Sequence, residues 1–241
     1  MRFRRVTAAA LVLATLPACG RLGAPEPASA QGRDVLRLWR GSVVAAIAVA
    51  VLVWALVLWS AIRYRRRSDD VPSQRHEHIP VEIAYTAVPI VIVAALFAFT
   101  VTTERRVTHT SAQPDLTVEV TAFQWQWQFR YVDDDAGDDV IVRGGEGQPP
   151  VLVLPVGETV RFELETADVI HSFWVPRFLE KRDMIPGVDN AIDVDVERAG
   201  TFAGRCAEFC GLDHARMNFT VEAMPADEFD QWLADQRDEA Q

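Results

Sequence analysis

Residues 201–223 carry the sequence TFAGRCAEFCGLDHARMNFTVEA. Apolar residues at both ends of this stretch have the spacing of two short β-strands. Between the strands, a loop from Cys206 to Met217 brings together two thiols, an imidazole and a thioether. Thiolate and thioether ligands together with imidazole are the set that copper prefers. The stretch therefore predicts a metal-binding loop held between two strands.

A second imidazole lies upstream, where His171 stands in a strand-like segment. A single blue-copper ion needs one Cys, one His, one Met and a second His from an earlier strand, so Cys206 and Cys210 provide one thiol too many. We therefore expect two copper ions that share two bridging sulfurs, each also bound by one histidine. The alternative is a disulfide, the usual state of two cysteines in an exported domain. So short a closed loop would add little stability, and Met217 would then be core packing.

The pattern of short strands continues through the sequence after residue 107. Short strands separated by turn residues predict an all-β domain of residues 107–241, either a β-sandwich or a Greek-key barrel. Residues 225–237 predict a closing helix, in which Phe229 and Trp232 are spaced to face the sandwich. The predicted strands are 116–121, 151–154, 159–164, 192–196, 201–204 and 218–223.

Two uncharged stretches, residues 41–62 and 83–103, precede this domain. Each is long enough to cross a bilayer as a helix, and Pro89 within the second is tolerated in a membrane helix. The arginine-rich loop of residues 63–82 belongs in the cytoplasm by the positive-inside rule. Arg33, Arg37 and Arg40, just before the first span, argue for the opposite orientation, so charge alone does not decide it.

The N-terminus decides the orientation. In residues 1–18, arginines and a short apolar stretch precede Leu-Pro-Ala and Cys19, which resembles a bacterial lipoprotein signal with Cys19 as the lipidated N-terminus. An ordinary signal peptide with an incidental cysteine is the alternative. Export of the N-terminus directs the first span inward and the second outward, so residues 107–241 lie outside the cytoplasm of a bacterial cell membrane. Residues 19–40, rich in Ala, Pro and Gly in their first part, are expected to form a linker.

The formal net charge of -10 argues against nucleic acid as a partner and is compatible with a basic protein partner. Most of the acidic excess follows residue 110, and one cluster of aspartates lies within residues 133–139. Such a cluster serves either to dock a partner or simply as a solvated loop.

The chain resembles subunit II of the haem–copper cytochrome c oxidases, the subunit that carries the binuclear copper A centre. The resemblance rests on residues 124–127, 168–176, 181–187 and 206–217, and it covers nearly everything from the first span to the closing helix. It implies a membrane-anchored all-β fold, a two-helix transmembrane hairpin followed by a cupredoxin-like Greek-key β-sandwich. It also implies the copper ligands, which are His171, Cys206, the backbone carbonyl of Glu208, Cys210, His214 and Met217.

The resemblance implies further residue roles. The Glu208 side chain would bind magnesium or manganese at the interface with the catalytic subunit, with a salt bridge as the alternative. Trp125 would receive the electron, and Asp168 would help to dock the cytochrome. Glu82 matches the acid at the mouth of a proton-uptake channel, although the family usually has Trp where Tyr85 stands. A carboxylate in the headgroup region is the other interpretation of Glu82.

By this resemblance, the chain is expected to accept electrons from cytochrome c and pass them to haem in subunit I. Oxygen is reduced to water there, coupled to proton pumping. Subunit III and membrane lipid are further expected partners. The chain has no Cys-x2-Cys-His haem motif, so the donor is a separate cytochrome or one bound in a complex.

Three other classes share parts of this pattern. Copper carriers that assemble oxidases use Cys-x3-Cys with a distant His, but in a thioredoxin-like fold and without a counterpart of His214 and Met217. Quinol oxidase subunits II lack the copper ligands. Nitrous-oxide reductases need a large His-rich domain for their catalytic copper site, whereas this chain has only five histidines.

Overall fold

The computed structural model describes residues 22–67, 69, 71, 74–132, 139–145 and 147–240. The chain divides into two units, a helical unit of Arg37–Glu104 and a β-unit built from the described parts of Met1–Leu36 and Arg105–Gln241. The predicted signal peptide with Cys19, and residues 133–138 of the acidic cluster, lie outside the described residues.

Two long helices supply the helical unit, α1 from Ala30 to Arg63 and α2 from Ile79 to Val107. Within the described residues these are the two helices long and apolar enough to cross a membrane. None of the most apolar part of either helix is buried inside the chain, as expected for surfaces that face lipid. The predicted spans 41–62 and 83–103 lie inside these helices, and α2 continues through Pro89.

The β-unit is a sandwich of two sheets. Its strands are β1 Leu116–Phe123, β2 Gln126–Val132, β3 Val140–Arg143, β4 Val151–Val156, β5 Thr159–Thr166, β6 His171–Val175, β7 Glu180–Met184, β8 Asn190–Asp195, β9 Gly200–Cys206 and β10 Asn218–Pro225. In the described residues, one five-stranded sheet has the order β3-β2-β1-β5-β8 and the other the order β4-β10-β9-β6-β7. The predicted β-sandwich is thus confirmed. Helix α3 closes the chain from Ala226 to Ala240, with Phe229 buried as expected.

The core between the sheets is built by the alternation of side chains along each strand. In β2, Trp127, Phe129 and Tyr131 all point inward. The Phe219 ring from β10 stacks on Phe173 from β6 at 5.1 Å and meets Trp127 edge to face at the same distance. This aromatic cluster lies beneath the loop that contains the two cysteines, and its close packing restricts movement at the base of the loop.

The structure differs from the predicted linker between residues 28 and 36. Ala28 and Ser29 are buried, and Ser29 forms a β-bridge with Val196. The Ser29 hydroxyl accepts a hydrogen bond from Gly32 N (3.1 Å), which caps the first turn of α1. These residues pack on the β-unit instead of forming a linker because Ser29 caps α1 and pairs through its backbone with Val196. We call residues 28–36 the N-terminal strap.

Candidate metal centre

Three strand ends bring the predicted ligands together. His171 begins β6 and Cys206 ends β9, and these strands pair antiparallel with Phe173 opposite Cys206. His214 begins a short 3-10 turn that ends at Arg216, and Met217 directly precedes β10. Cys206 N donates to Met217 O (2.9 Å), which closes the base of the loop. Because β9 and β10 are paired, the loop is fixed at both ends.

The donor atoms of all the predicted ligands converge. The ligand atoms of His171, Cys206 and Cys210 lie within 4.8 Å of one another. Cys206 Sγ lies 3.8 Å from His171 Nδ1 and donates to the carbonyl oxygen of Glu208 (3.2 Å). Cys210 Sγ has two further neighbours, His214 Nδ1 at 3.5 Å and Met217 Sδ at 3.7 Å.

The two cysteines are free and buried, with their sulfurs 3.9 Å apart. A disulfide requires about 2.05 Å between the sulfurs. The structure therefore has no disulfide between Cys206 and Cys210, which was the alternative to a metal site. Met217 is 1% exposed and contacts a cysteine sulfur, so it lies inside the site as well as in the core.

The two thiols titrate differently although they are adjacent. Burial opposes ionisation of Cys206, but its hydrogen bonds with His171, with the backbone of Ser172 and Glu208 and with His214 together outweigh burial, so the pKa of Cys206 falls to about 6. For Cys210, burial and the negative charge on Cys206 act in the same direction and raise its pKa to about 12. The pair therefore holds one thiolate readily, and a second thiolate needs a positive charge between them. A metal cation supplies that charge.

The donor set fits copper. Metal–thiolate bonds are about 2.3 Å long, as known for zinc, so two sulfurs 3.9 Å apart can both bind one ion. Points at that distance exist on either side of the line that joins the sulfurs, so the pair can bridge two ions. Two imidazoles, a thioether and a carbonyl oxygen remain as further ligands, the soft and borderline set that copper selects.

Asp168 lies behind His171, one of the predicted ligands. Its Oδ1 lies 2.9 Å from His171 Nε2, while the other ring nitrogen faces Cys206. Burial would raise the pKa of the Asp168 carboxyl, but hydrogen bonds from Gln124 N, from His171 and from Val169 N together lower it. For His171, burial would lower the pKa, but the contacts with Cys206 and Asp168 raise it.

Trp125 lies against the cysteine loop and is half-buried. Its Nε1 donates to the carbonyl oxygen of Cys210 (3.2 Å). Gln124 Nε2 donates to the same oxygen at 2.7 Å. The sequence gives no reason to single out Gln124, because the contact depends on the turn between β1 and β2 meeting a loop over 80 residues away. Gly211 has φ +120°, a conformation open to glycine, and because it has no Cβ this loop can pass close to the Trp125 ring.

The two remaining predicted site residues have partners within the chain. The Glu208 carboxylate accepts a hydrogen bond from Lys181 Nζ (2.7 Å), with both side chains partly exposed. Glu82 Oε1 accepts from His78 N (2.8 Å) at the start of α2. Glu82 therefore caps its own helix.

Two family models match the chain. The one described as cytochrome c oxidase subunit II, periplasmic domain, matches residues 116–224. The one described as the transmembrane domain of the same subunit matches residues 17–101. Together they span both the β-unit and the helical hairpin.

Curated relatives and a solved structure are similar to the chain. The probable cytochrome c oxidase subunit 2 of Streptomyces coelicolor is 41% identical and aligns over 94% of this chain and 84% of its own length. The cytochrome c oxidase subunit 2 of Mycobacterium tuberculosis is 31% identical, over 88% of this chain and 74% of its own. The crystal structure of the periplasmic domain of cytochrome oxidase subunit II of Bradyrhizobium japonicum is 30% identical, with a TM-score of 0.48, over 54% of this chain and 99% of its own.

Proposed function

The chain belongs to the cytochrome c oxidase subunit II family, and on that basis we propose that it brings electrons into a proton-pumping oxidase. The convergence of His171, Cys206 and Cys210 is the observation that carries the proposal. His214 and Met217 complete the ligand set. A binuclear copper A centre bound here would accept one electron from cytochrome c and release it to haem in subunit I.

The residues of the chain contribute binding and rigidity. Two thiolates, two imidazoles and a thioether supply the donor atoms, and the Glu208 carbonyl adds an oxygen. Because these atoms lie at the ends of paired strands above an aromatic core, they move little when the charge of the centre changes. A small rearrangement is the condition for fast electron transfer, and the packing around the sulfurs tunes the potential.

The electron is proposed to enter at Trp125. Its indole N–H donates a hydrogen bond to the carbonyl oxygen of Cys210, the residue whose own sulfur is a proposed copper ligand. A cytochrome c donor would dock on the acidic outer face. By the family resemblance, Asp168 is one of the acids that would contact it. Glu208 is proposed to bind magnesium or manganese where the β-unit meets subunit I, and in that state its carboxylate would exchange Lys181 for the cation.

The protein is membrane-anchored, because its two apolar helices coincide with the transmembrane domain of the family. We propose that the β-unit lies on the extracytoplasmic side, with the arginine-rich loop between α1 and α2 in the cytoplasm. In that orientation Glu82 lies at the cytoplasmic end of α2, and we propose that it takes part in proton uptake there. Lipidation of Cys19 and partnership with subunit III remain part of the proposal.

Copper titration of the full chain in detergent, followed by electron paramagnetic resonance, tests the function. We expect two coppers per chain and a seven-line hyperfine pattern, because the unpaired electron is shared equally between two ions. The matched control is Cys206→Ser, which removes one bridging sulfur and should give a four-line pattern.

A wild-type chain that takes up one copper, or gives four lines, would contradict the proposal. Uptake of a single ion would favour the copper-carrier class instead. A disulfide that forms again between these two sulfurs when the reduced chain is refolded in air would favour the structural disulfide.

A further inference from the structure

We propose that Asp168 is a positioning residue that locks His171 and the turn carrying Trp125 to the metal centre, an inference that rests on the proposed function. Docking of cytochrome c needs only a negative charge at this position. The contacts of Asp168 instead connect a metal ligand with the group proposed to receive the electron. Both carboxylate oxygens take part in them.

The first contact fixes the state of the ligand histidine. Asp168 Oδ1 lies 2.9 Å from His171 Nε2, and an ionised carboxylate can only accept a hydrogen bond. The proton of a neutral His171 ring is therefore on Nε2, which leaves the lone pair of Nδ1 free and aimed at the sulfur of Cys206, 3.8 Å away. Ligand histidines in metalloproteins are commonly oriented in this way by a carboxylate. His171 is fully buried, so solvent cannot replace Asp168.

The second contact holds the Trp125 turn. Asp168 Oδ2 accepts a hydrogen bond from Gln124 N at 2.7 Å. Gln124 and Trp125 then both donate from their side chains to the carbonyl oxygen of Cys210. The hydrogen bonds thus run from one ligand, His171, through Asp168 and the turn after β1 to another ligand, Cys210. Displacing the carboxylate would loosen both ends of this network together.

The geometry also separates Asp168 from an ordinary surface acid. Its side chain is 30% exposed, and its Oδ1 also accepts from Val169 N at 2.6 Å. A lysine of a docking partner would compete with three existing N–H donors. Glu165, three residues earlier on β5, is exposed to solvent and provides a matched charge.

Three variants of the copper-loaded full chain separate positioning from docking. Asp168→Asn keeps the shape but offers one acceptor and one donor, so it cannot accept from all three N–H groups. Asp168→Glu keeps the charge but moves the carboxylate by one methylene. Glu165→Gln removes a nearby charge without touching the network. We expect both Asp168 variants to lower copper affinity about 10- to 100-fold and to change the hyperfine pattern and the potential, while Glu165→Gln changes none of these.

The inference is overturned if Asp168→Glu matches the wild type in affinity, spectrum and potential while Asp168→Asn only raises the KM for a basic cytochrome c. That result would identify a docking acid. A second readout needs no copper: nitrogen NMR of the metal-free chain should show the proton of His171 on Nε2 in the wild type and a mixture of tautomers in Asp168→Asn. Unchanged tautomers would contradict the inference, whereas a wrong copper stoichiometry in the wild type would contradict the proposed function alone.

Discussion

Met217 is the predicted ligand whose side chain can be replaced with the least disturbance to packing. Leucine has a similar volume, so Met217→Leu should cost the metal-free chain less than about 1.5 kcal/mol. Because a thioether is a weak donor, we expect both coppers to stay bound and the potential to rise. Redox titration and copper analysis measure the two effects.

Met224→Leu is the control, because this partly buried methionine lies at the other end of β10 from the sulfurs. It should change neither property. Complete loss of metal in Met217→Leu would contradict a weak axial role for the thioether.

Gly204 provides a test of the packing beneath the site. A Cβ at this position would fall inside the Phe219 ring, which is buried and held by Phe173, Trp127 and Phe129. The ring has nowhere to move, so Gly204→Ala should destabilise the β-unit by at least about 1–3 kcal/mol. Gly145→Ala is the control, since nothing lies within 4 Å of its Cβ position. Thermal unfolding followed by near-ultraviolet circular dichroism measures both, and equal melting temperatures would contradict the packing argument.

At the scale of the elements, the N-terminal strap is held by backbone pairing that a single side chain can disrupt. Glu197 N donates to Ala28 O (2.9 Å), and Ala28 N donates to Arg177 O (2.7 Å). A Cβ on Gly32 would lie 2.7 Å from the carbonyl oxygen of Phe178. Gly32→Ala should therefore push the strap away from the sandwich.

Hydrogen exchange at the Glu197 and Ala28 amides measures this displacement. An overpacking cost of about 1–3 kcal/mol corresponds to exchange that is at least about fivefold faster. Gly41→Ala is the matched control, because Gly41 is also in α1 but has nothing within 4 Å of its Cβ position. Unchanged protection in Gly32→Ala would show that the strap does not depend on this close approach.

How far the elements could be predicted from the sequence depends on their patterns. Strand β5 is predictable from the sequence, because its buried residues alternate with polar ones. Strand β7 is not predictable, since its sequence EKRDM has four charged residues and its strand conformation comes from pairing with β6. Aromatic and polar residues alternate along β2, but such a pattern is equally compatible with a buried strand and with an exposed aromatic patch that binds a partner. The N-terminal strap could not be predicted from the sequence, because the residues that it contacts, such as Asp195, lie over 160 residues away.

The same distinction applies to the candidate site. Four of the five predicted side-chain ligands lie in a single loop, so their residue types and spacing alone predict a metal centre. The contacts of Gln124 and Asp168 join segments that are distant in sequence, and only the fold brings them together. A sequence pattern therefore predicts which atoms bind the metal better than it predicts what orients them.

At the scale of the whole molecule, the net charge of -10 predicts that reduction by a basic cytochrome c depends on salt. Electrostatic steering can raise association rates by about 10- to 1,000-fold. The screening length shrinks from about 10 Å at 0.1 M salt to about 3 Å at 1 M. We therefore expect the second-order rate constant of reduction, measured by stopped flow, to fall as ionic strength rises.

The position of the charges sharpens this prediction. Glu163 and Glu165 lie exposed on β5, whose C-terminal end leads to Asp168 beside the metal site. Asp227 and Glu228 lie in the first turn of α3, beyond the far end of β10. That end of the strand is seven residues from its start at the cysteine loop and so about 24 Å away. Changing Glu163 and Glu165 together to Gln should slow reduction several-fold and flatten its salt dependence. Removing the same charge at Asp227 and Glu228 should have little effect. Equal effects of the two double variants would mean that only total charge steers the donor. A wild-type rate constant that does not change with ionic strength would contradict the proposal of an acidic docking face.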